Sequence, residues 1–301
     1  MALPLIHHAD YDASSVPDGH RFPMRKYARV AERLRARGAV FTVPRHAPEA
    51  WLMAVHDPAY VAAILNQTLD RAAARRIGFE ITAPLARRAA ASAAGTTLAA
   101  RIALDTGVAA NLAGGSHHAG PHGGAGFCVF NDVAVAARQI LDDRLVRRFA
   151  GTDAVFTFSL HCEDNWPRTK PPSDLDMGLA KGAGDAAYLE ALSQALPTVF
   201  DRARPDLVFY NAGVDPHRED RLGHLALTDD GLAARDRLVA EACQARGVPI
   251  CGVLGGGYGQ DPDAVAGRHL FMIEALAELA GGLSAPPGET GLGRDEKRPL
   301  R

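Results

Sequence analysis

The chain has 301 residues, 47% of them hydrophobic, and a formal net charge of −2. That balance gives no general electrostatic pull toward nucleic acid or anionic lipid, and no run approaches the ~18 apolar residues of a membrane span. The composition is that of a globular protein with a sizeable core. The first eight residues lack the basic start and long apolar segment of a secretory signal. Cys128, Cys162, Cys243 and Cys251 lie far apart with no Cys-x-x-Cys spacing. Free thiols and a cytoplasmic location are therefore expected.

In chain order, short apolar runs at 4–8, 40–43, 109–113, 154–160, 207–212 and 250–254 read as strands. Longer stretches with helical periodicity lie at 25–37, 58–68, 85–105, 132–142, 185–200, 229–245 and 261–279. This alternation predicts an α/β fold, a parallel sheet with helices on both faces. Asn131-Asp132 and Thr228-Asp229 are expected helix starts, because short polar side chains accept from the orphan amides there. The helix at 85–105 is rich in alanine, which suits close packing on a sheet. Residues 281–301 are rich in glycine, proline and charge and read as a disordered tail, leaving 1–280 as one domain.

In open α/β sheets, ligands bind at the carboxyl ends of the strands. His117 and His118 follow the strand at 109–113 within Gly114-Gly115-Ser116-His117-His118, ahead of Gly126-Phe127 and a helix start. A single histidine there is ordinarily a hydrogen-bonded structural residue; an adjacent pair in a glycine-rich setting points to proton transfer. Asn211-Ala212-Gly213-Val214-Asp215-Pro216-His217 puts a carboxylate at the end of another strand, although an Asp before Pro is by itself a turn former. Leu254-Gly255-Gly256-Gly257-Tyr258-Gly259 follows a third. Its glycines let backbone approach a ligand closely, and the tyrosine hydroxyl can donate to a developing oxyanion. The spacing is not that of a phosphate-binding loop.

Taken together these segments resemble the arginase/deacetylase superfamily, and within it the small bacterial histone deacetylases related to class IV. Gly19-His20-Arg21-Phe22-Pro23-Met24-Arg25-Lys26-Tyr27, His56-Asp57-Pro58-Ala59-Tyr60-Val61, Arg75-Arg76-Ile77-Gly78-Phe79 and Phe156-Thr157-Phe158-Ser159-Leu160-His161 look like family blocks in the family's order, as does the run from Asp215 to Gly223. The resemblance implies a three-layer, mostly parallel sheet and zinc-dependent hydrolysis of an acyl-lysine amide. It implies His118 as general base, His117 as its electrostatic partner or acid, and Tyr258 as oxyanion donor. It further implies Asp215 as one metal ligand and Gly126 and Phe127 as lining of the acyl-lysine channel. The implied ligand is an acyl-lysine peptide or a small acetylated amine, with no nucleic acid or membrane partner.

One family segment has no counterpart. Members carry a strand ending in Asp-x-Asp-x-His, which supplies two of the three zinc ligands and the acidic partners of the histidines. No such motif occurs in this chain; Arg148 runs into Phe149 and on to the next family strand. An interior strand therefore reads as deleted between Arg148 and Phe149. Asp215 alone cannot hold zinc, since structural and catalytic sites alike need three or more protein ligands. Zinc is thus expected to be weakly held or absent, and hydrolysis lost. Two other readings stand beside this. The strand at 154–160 could slide into the vacated place and offer His161, Cys162, Glu163 and Asp164 as substitute ligands, restoring an active deacetylase. Alternatively, the retained channel could serve a metal-free acyl-lysine or partner-binding module.

Overall fold

The computed structural model describes residues 2–143 and 154–283. The elements are β1 (Leu5–Ile6), a 3-10 turn (Ala9–Tyr11), α1 (Lys26–Ala36), β2 (Phe41–Thr42), α2 (Glu49–Met53), α3 (Pro58–Leu65), α4 (Arg71–Ile77), α5 (Ala83–Thr106), β3 (Val108–Asn111) and α6 (Asp132–Asp142). There follow β4 (Phe158–Cys162), β5 (Leu175–Leu179), α7 (Asp185–Ala203), β6 (Val208–Asn211), α8 (Asp229–Gln244), β7 (Ile250–Val253) and α9 (Pro262–Ala280). Helix starts fall where the polar side chains predict them. Asn131 accepts from the amide of Ala134, and Thr228 from that of Gly231, each at 3.0 Å.

The expected α/β architecture is present, and the pairings among the described strands are parallel. Five strands form one sheet in the order β2-β1-β3-β7-β6. Successive residues of β7 show its two faces: the Cys251 thiol points to the Thr96 carbonyl on α5, whereas a Cβ on Gly252 would lie 2.6 Å from Met272 Sδ on α9. The sheet is therefore covered by α5 on one side and α9 on the other, with α6 packed against α5 and α1 against α9. The alanine-rich run lets α5 sit close to the sheet. At Gly95 any side chain would collide with the Tyr11 hydroxyl, and a Cβ would stand 2.8 Å from Asn111 Oδ1.

The sheet is not continuous. Among the described residues β6 pairs with β7 alone, while β4 and β5 form a separate two-stranded sheet. Residues 208–210 of β6 and 158–161 of β4 are only half-buried, unlike the fully buried β3 and β7. Strand β5 is an addition to the predicted set: Asp176 and Gly178 alternate with apolar residues, and the preceding Pro171-Pro172-Ser173 reads as loop. The short helices α2 and α4 are also additions. The predicted join at 148–149 lies outside the described residues, as do residues 284–301 of the predicted tail. The first three residues of that tail are ordered instead. Gly281 caps α9 in the left-handed region, Leu3 donates to the Gly282 carbonyl at 2.8 Å, and Leu283 bridges to Leu3.

Candidate functional site

Strand register fixes the site. Asn111 of β3, Val253 of β7 and Asn211 of β6 lie level across the sheet, so the segments leaving their carboxyl ends start side by side. Backbone bonds continue the alignment past the strands. Leu254 and Gly255 donate to Ala113 and Gly114 at 3.1 Å, and Val214 donates to Gly256 at 2.8 Å. This close approach requires glycine: Gly115 and Gly255 have φ of +80° and +70°, and a Cβ on Gly115 would stand 2.6 Å from the Gly255 Cα. The three predicted segments are thus brought together at one end of the sheet.

His117 and His118 lie with ring centroids 4.1 Å apart. Asp132, at the first turn of α6, clamps the loop that carries them. It accepts from the amides of Gly115 (3.1 Å) and Ser116 (2.8 Å) and from the Thr96 hydroxyl (2.6 Å). Burial pushes the Asp132 carboxyl up, against these bonds, which favour its charged form. His56 fixes the far side of the loop by accepting from the Asn131 amide (3.0 Å), which leaves its Nδ1–H to donate to the Gly120 carbonyl (2.9 Å). His117 Nδ1 has the Asn211 amide nitrogen at 3.0 Å and the Gly115 carbonyl at 3.0 Å. His117 and Asn211 are exposed. The pKa of His118 is pushed down to about 3 by burial and by the neighbouring His117.

Trp166 stands over this floor. Its ring centroid lies 4.8 Å from that of His118, and a Cβ on Gly126 would meet it at 2.6 Å. Phe127 has φ of +65°, held there by the bond from its amide to the Ile77 carbonyl at 2.6 Å. Its ring packs against Phe22 (5.5 Å), Phe79 (5.4 Å) and Tyr258 (5.6 Å). Tyr258 is set by its amide, which donates to Asp220 at 2.6 Å. Burial, then the charge of Asp215, holds the phenol well above its ordinary pKa, so it is a hydrogen-bond donor. Beneath the glycine run Lys26 donates to the carbonyls of Gly255 (3.1 Å) and Gly257 (3.4 Å). Burial, then Arg88, lowers this ammonium to about 7, against the attraction of Asp215 and Asp220.

Asp215 follows β6 in a turn closed by the bond from the His217 amide to the Val214 carbonyl. Its carboxylate packs on backbone: a Cβ on Gly256 would stand 2.5 Å from Oδ2, and one on Gly213 2.8 Å from Oδ1. Arg235 of α8 supports the strand end by donating to the Gly213 carbonyl at 2.5 Å, and is itself buried against Asp236. A zinc site needs at least three donors. Among the described residues the only three metal-capable side chains gathered within reach of one ion are His8, Asp10 and His46, which include none of these residues. The predicted substitutes form no group of three with Asp215 among the described residues. Strand β4 pairs with β5, not β6, and His161 is bonded to Ser159 Oγ at 2.8 Å. Among the described residues the donor set at Asp215 falls short of the three that zinc needs.

Sequence reasoning passed over Asp132 as a helix start, and over Lys26 and Asn211 as members of longer blocks. Trp166 carries no local signal at all, because its partners lie about forty residues away in sequence.

The family model described as the histone deacetylase domain matches residues 20–153 and 146–272, two pieces that overlap where β4 is approached. An uncharacterized protein of Picosynechococcus is 40% identical over 300 aligned positions, covering 93% of this chain and all of that protein. Since 93% of 301 residues is about 280, about 20 of those positions face no residue here. A deacetylase homologue solved with SAHA superposes with a TM-score of 0.74 at 22% identity, covering 94% of this chain and 85% of that one. The acetylpolyamine aminohydrolase of Burkholderia pseudomallei gives 0.72 at 19%, covering 92% and 99%.

Proposed function

From its membership of the histone deacetylase family, to which the chain belongs, we propose that this protein keeps the family fold and most of its amide-binding floor but has lost metal-dependent hydrolysis. One observation carries the reading: among the described residues Asp215 belongs to no group of three metal-capable side chains. A bound metal supplies a polarised carbonyl and a water of pKa near 7 instead of 15.7, and one carboxylate cannot hold it. The histidines are no substitute. A proton acceptor with a pKa of about 3 is a poor general base at neutral pH, and the groups beside His117 are a neutral amide and a carbonyl. The two overlapping matches to the family, the unpaired positions of the relative, and the break between β6 and β4 all support loss of one strand.

The ligand class that suits the remaining floor is an acylated amine, bound between Gly126, Phe127 and Tyr258. The solved neighbours carry SAHA in one case and are named for acetylpolyamine in another. Trp166 lies across the approach to Gly126 and His118, so such a ligand must displace it. No observation favours substitute zinc ligands from the end of β4. The test is acetate release from an acetyl-lysine peptide and from an N-acetylated polyamine, with added zinc and with chelator. Release at the buffer rate in both is expected. Zinc-dependent release that chelation and His118→Ala each abolish overturns the reading.

A further inference from the structure

At the carboxyl end of β1 the chain turns through His8, Asp10 and the 3-10 turn, and the segment before α2 brings His46 alongside. One donor atom from each of the three lies within 4.8 Å of the other two. His46 Nε2 is 2.7 Å and His8 Nδ1 is 3.8 Å from Asp10 Oδ2, and the two imidazoles meet edge to face at 4.8 Å. A tetrahedral metal with bonds of about 2.1 Å holds its ligands about 3.4 Å apart, so small side-chain rotations bring the three into register. His8 Nδ1 accepts the Asp10 amide hydrogen at 2.9 Å. That nitrogen is therefore unprotonated, as a metal ligand must be, and a metal would take its lone pair from the amide. The competing arrangement is a plain hydrogen-bonded cluster in which Arg87, 3.6 Å from Asp10 and half exposed, helps to neutralise the carboxylate. Arg87 is free to swing into solvent when a cation replaces it.

We propose that His8, Asp10 and His46 form a three-ligand site for a borderline divalent transition metal such as zinc, with water in the open position. Two imidazoles and one carboxylate favour zinc, nickel or copper over magnesium or calcium. The metal would staple the exit of β1 to the segment leading into α2, a structural role independent of the deacetylase-like floor. Zinc is titrated into the chelator-treated full chain at neutral pH and binding followed by calorimetry, with thermal unfolding alongside. One zinc per chain is expected, with a rise in the unfolding temperature. His46→Ala and His46→Gln, at an exposed position, weaken binding more than about tenfold and remove the rise; Asp215→Asn leaves both unchanged. Absence of stoichiometric binding, or binding that survives both His46 variants, overturns the proposal. Loss of binding in Asp215→Asn also overturns it, and places the metal at the end of β6 instead.

Discussion

His118 offers the sharpest physical test of the site, because its environment is costly for a positive charge. In the unfolded chain its pKa is the ordinary 6.5; in the folded protein it is about 3. The folded value is depressed, so the contribution to stability is fully present above pH 6.5 and is lost as pH falls, when the unfolded chain takes a proton that the native ring refuses. Between pH 7.5 and pH 5 that uptake is worth at most about 2 kcal/mol. The ring keeps some solvent contact, which screens the effect toward about 1 kcal/mol. Urea unfolding of wild type and His118→Gln at the two pH values reads the residue together with its coupling to His117, since titrating groups away from the pair contribute equally to both proteins. Wild type should lose about 1–2 kcal/mol more stability on acidification than the variant. Equal losses, within about 0.3 kcal/mol, would mean that His118 is solvated and free to ionise, and would refute the picture of a buried neutral ring.

Asp132→Ala strips the acceptor from two backbone amides and the Thr96 hydroxyl. At about 1–3 kcal/mol for each buried unsatisfied group, a loss of about 3–6 kcal/mol is expected, with Asp132→Asn milder. Chemical denaturation reads this directly, and an alanine variant within about 1 kcal/mol of wild type would show that the clamp is idle. The four cysteines are buried, and burial pushes the thiols of Cys128 and Cys243 up to about 12. A thiol reagent at pH 8 should label the native protein slowly and all four sites rapidly in denaturant; fast native labelling contradicts the packing.

Much of this architecture is legible in the sequence because its signals are local. The apolar runs that become β1, β3, β6 and β7 are bounded by polar caps and glycines, and α5 and α9 end at Gly107 and Gly281 in the left-handed region. The histidine pair, Asp215 and Tyr258 are legible because each follows such a run, and parallel topology gathers strand ends. What the sequence hides is relational. The Asp132 clamp depends on a loop folding back seventeen residues, the Lys26 support spans more than two hundred, and the position of Trp166 depends on how the chain leaves β4. Strand β5 is hidden for another reason: its alternation of half-buried and exposed residues has too little apolar content to stand out.

Among the described residues the break between the two sheets also marks a difference in burial. The five-stranded sheet lies between α5 and α9 with its central strands fully buried, whereas β4 and β5 are half-buried, β5 touches α7, and Cys162 joins the main core. Protection against hydrogen exchange follows the cheapest opening available to each amide. The amides of the half-buried β4–β5 pair should therefore exchange ahead of those in β3 and β7, which wait for unfolding of the whole. The less buried pair carries Trp166 on the loop that joins its two strands. An opening of that pair would lift the indole from His118 and Gly126, so exposure of the floor and exchange of the β4–β5 amides should rise together.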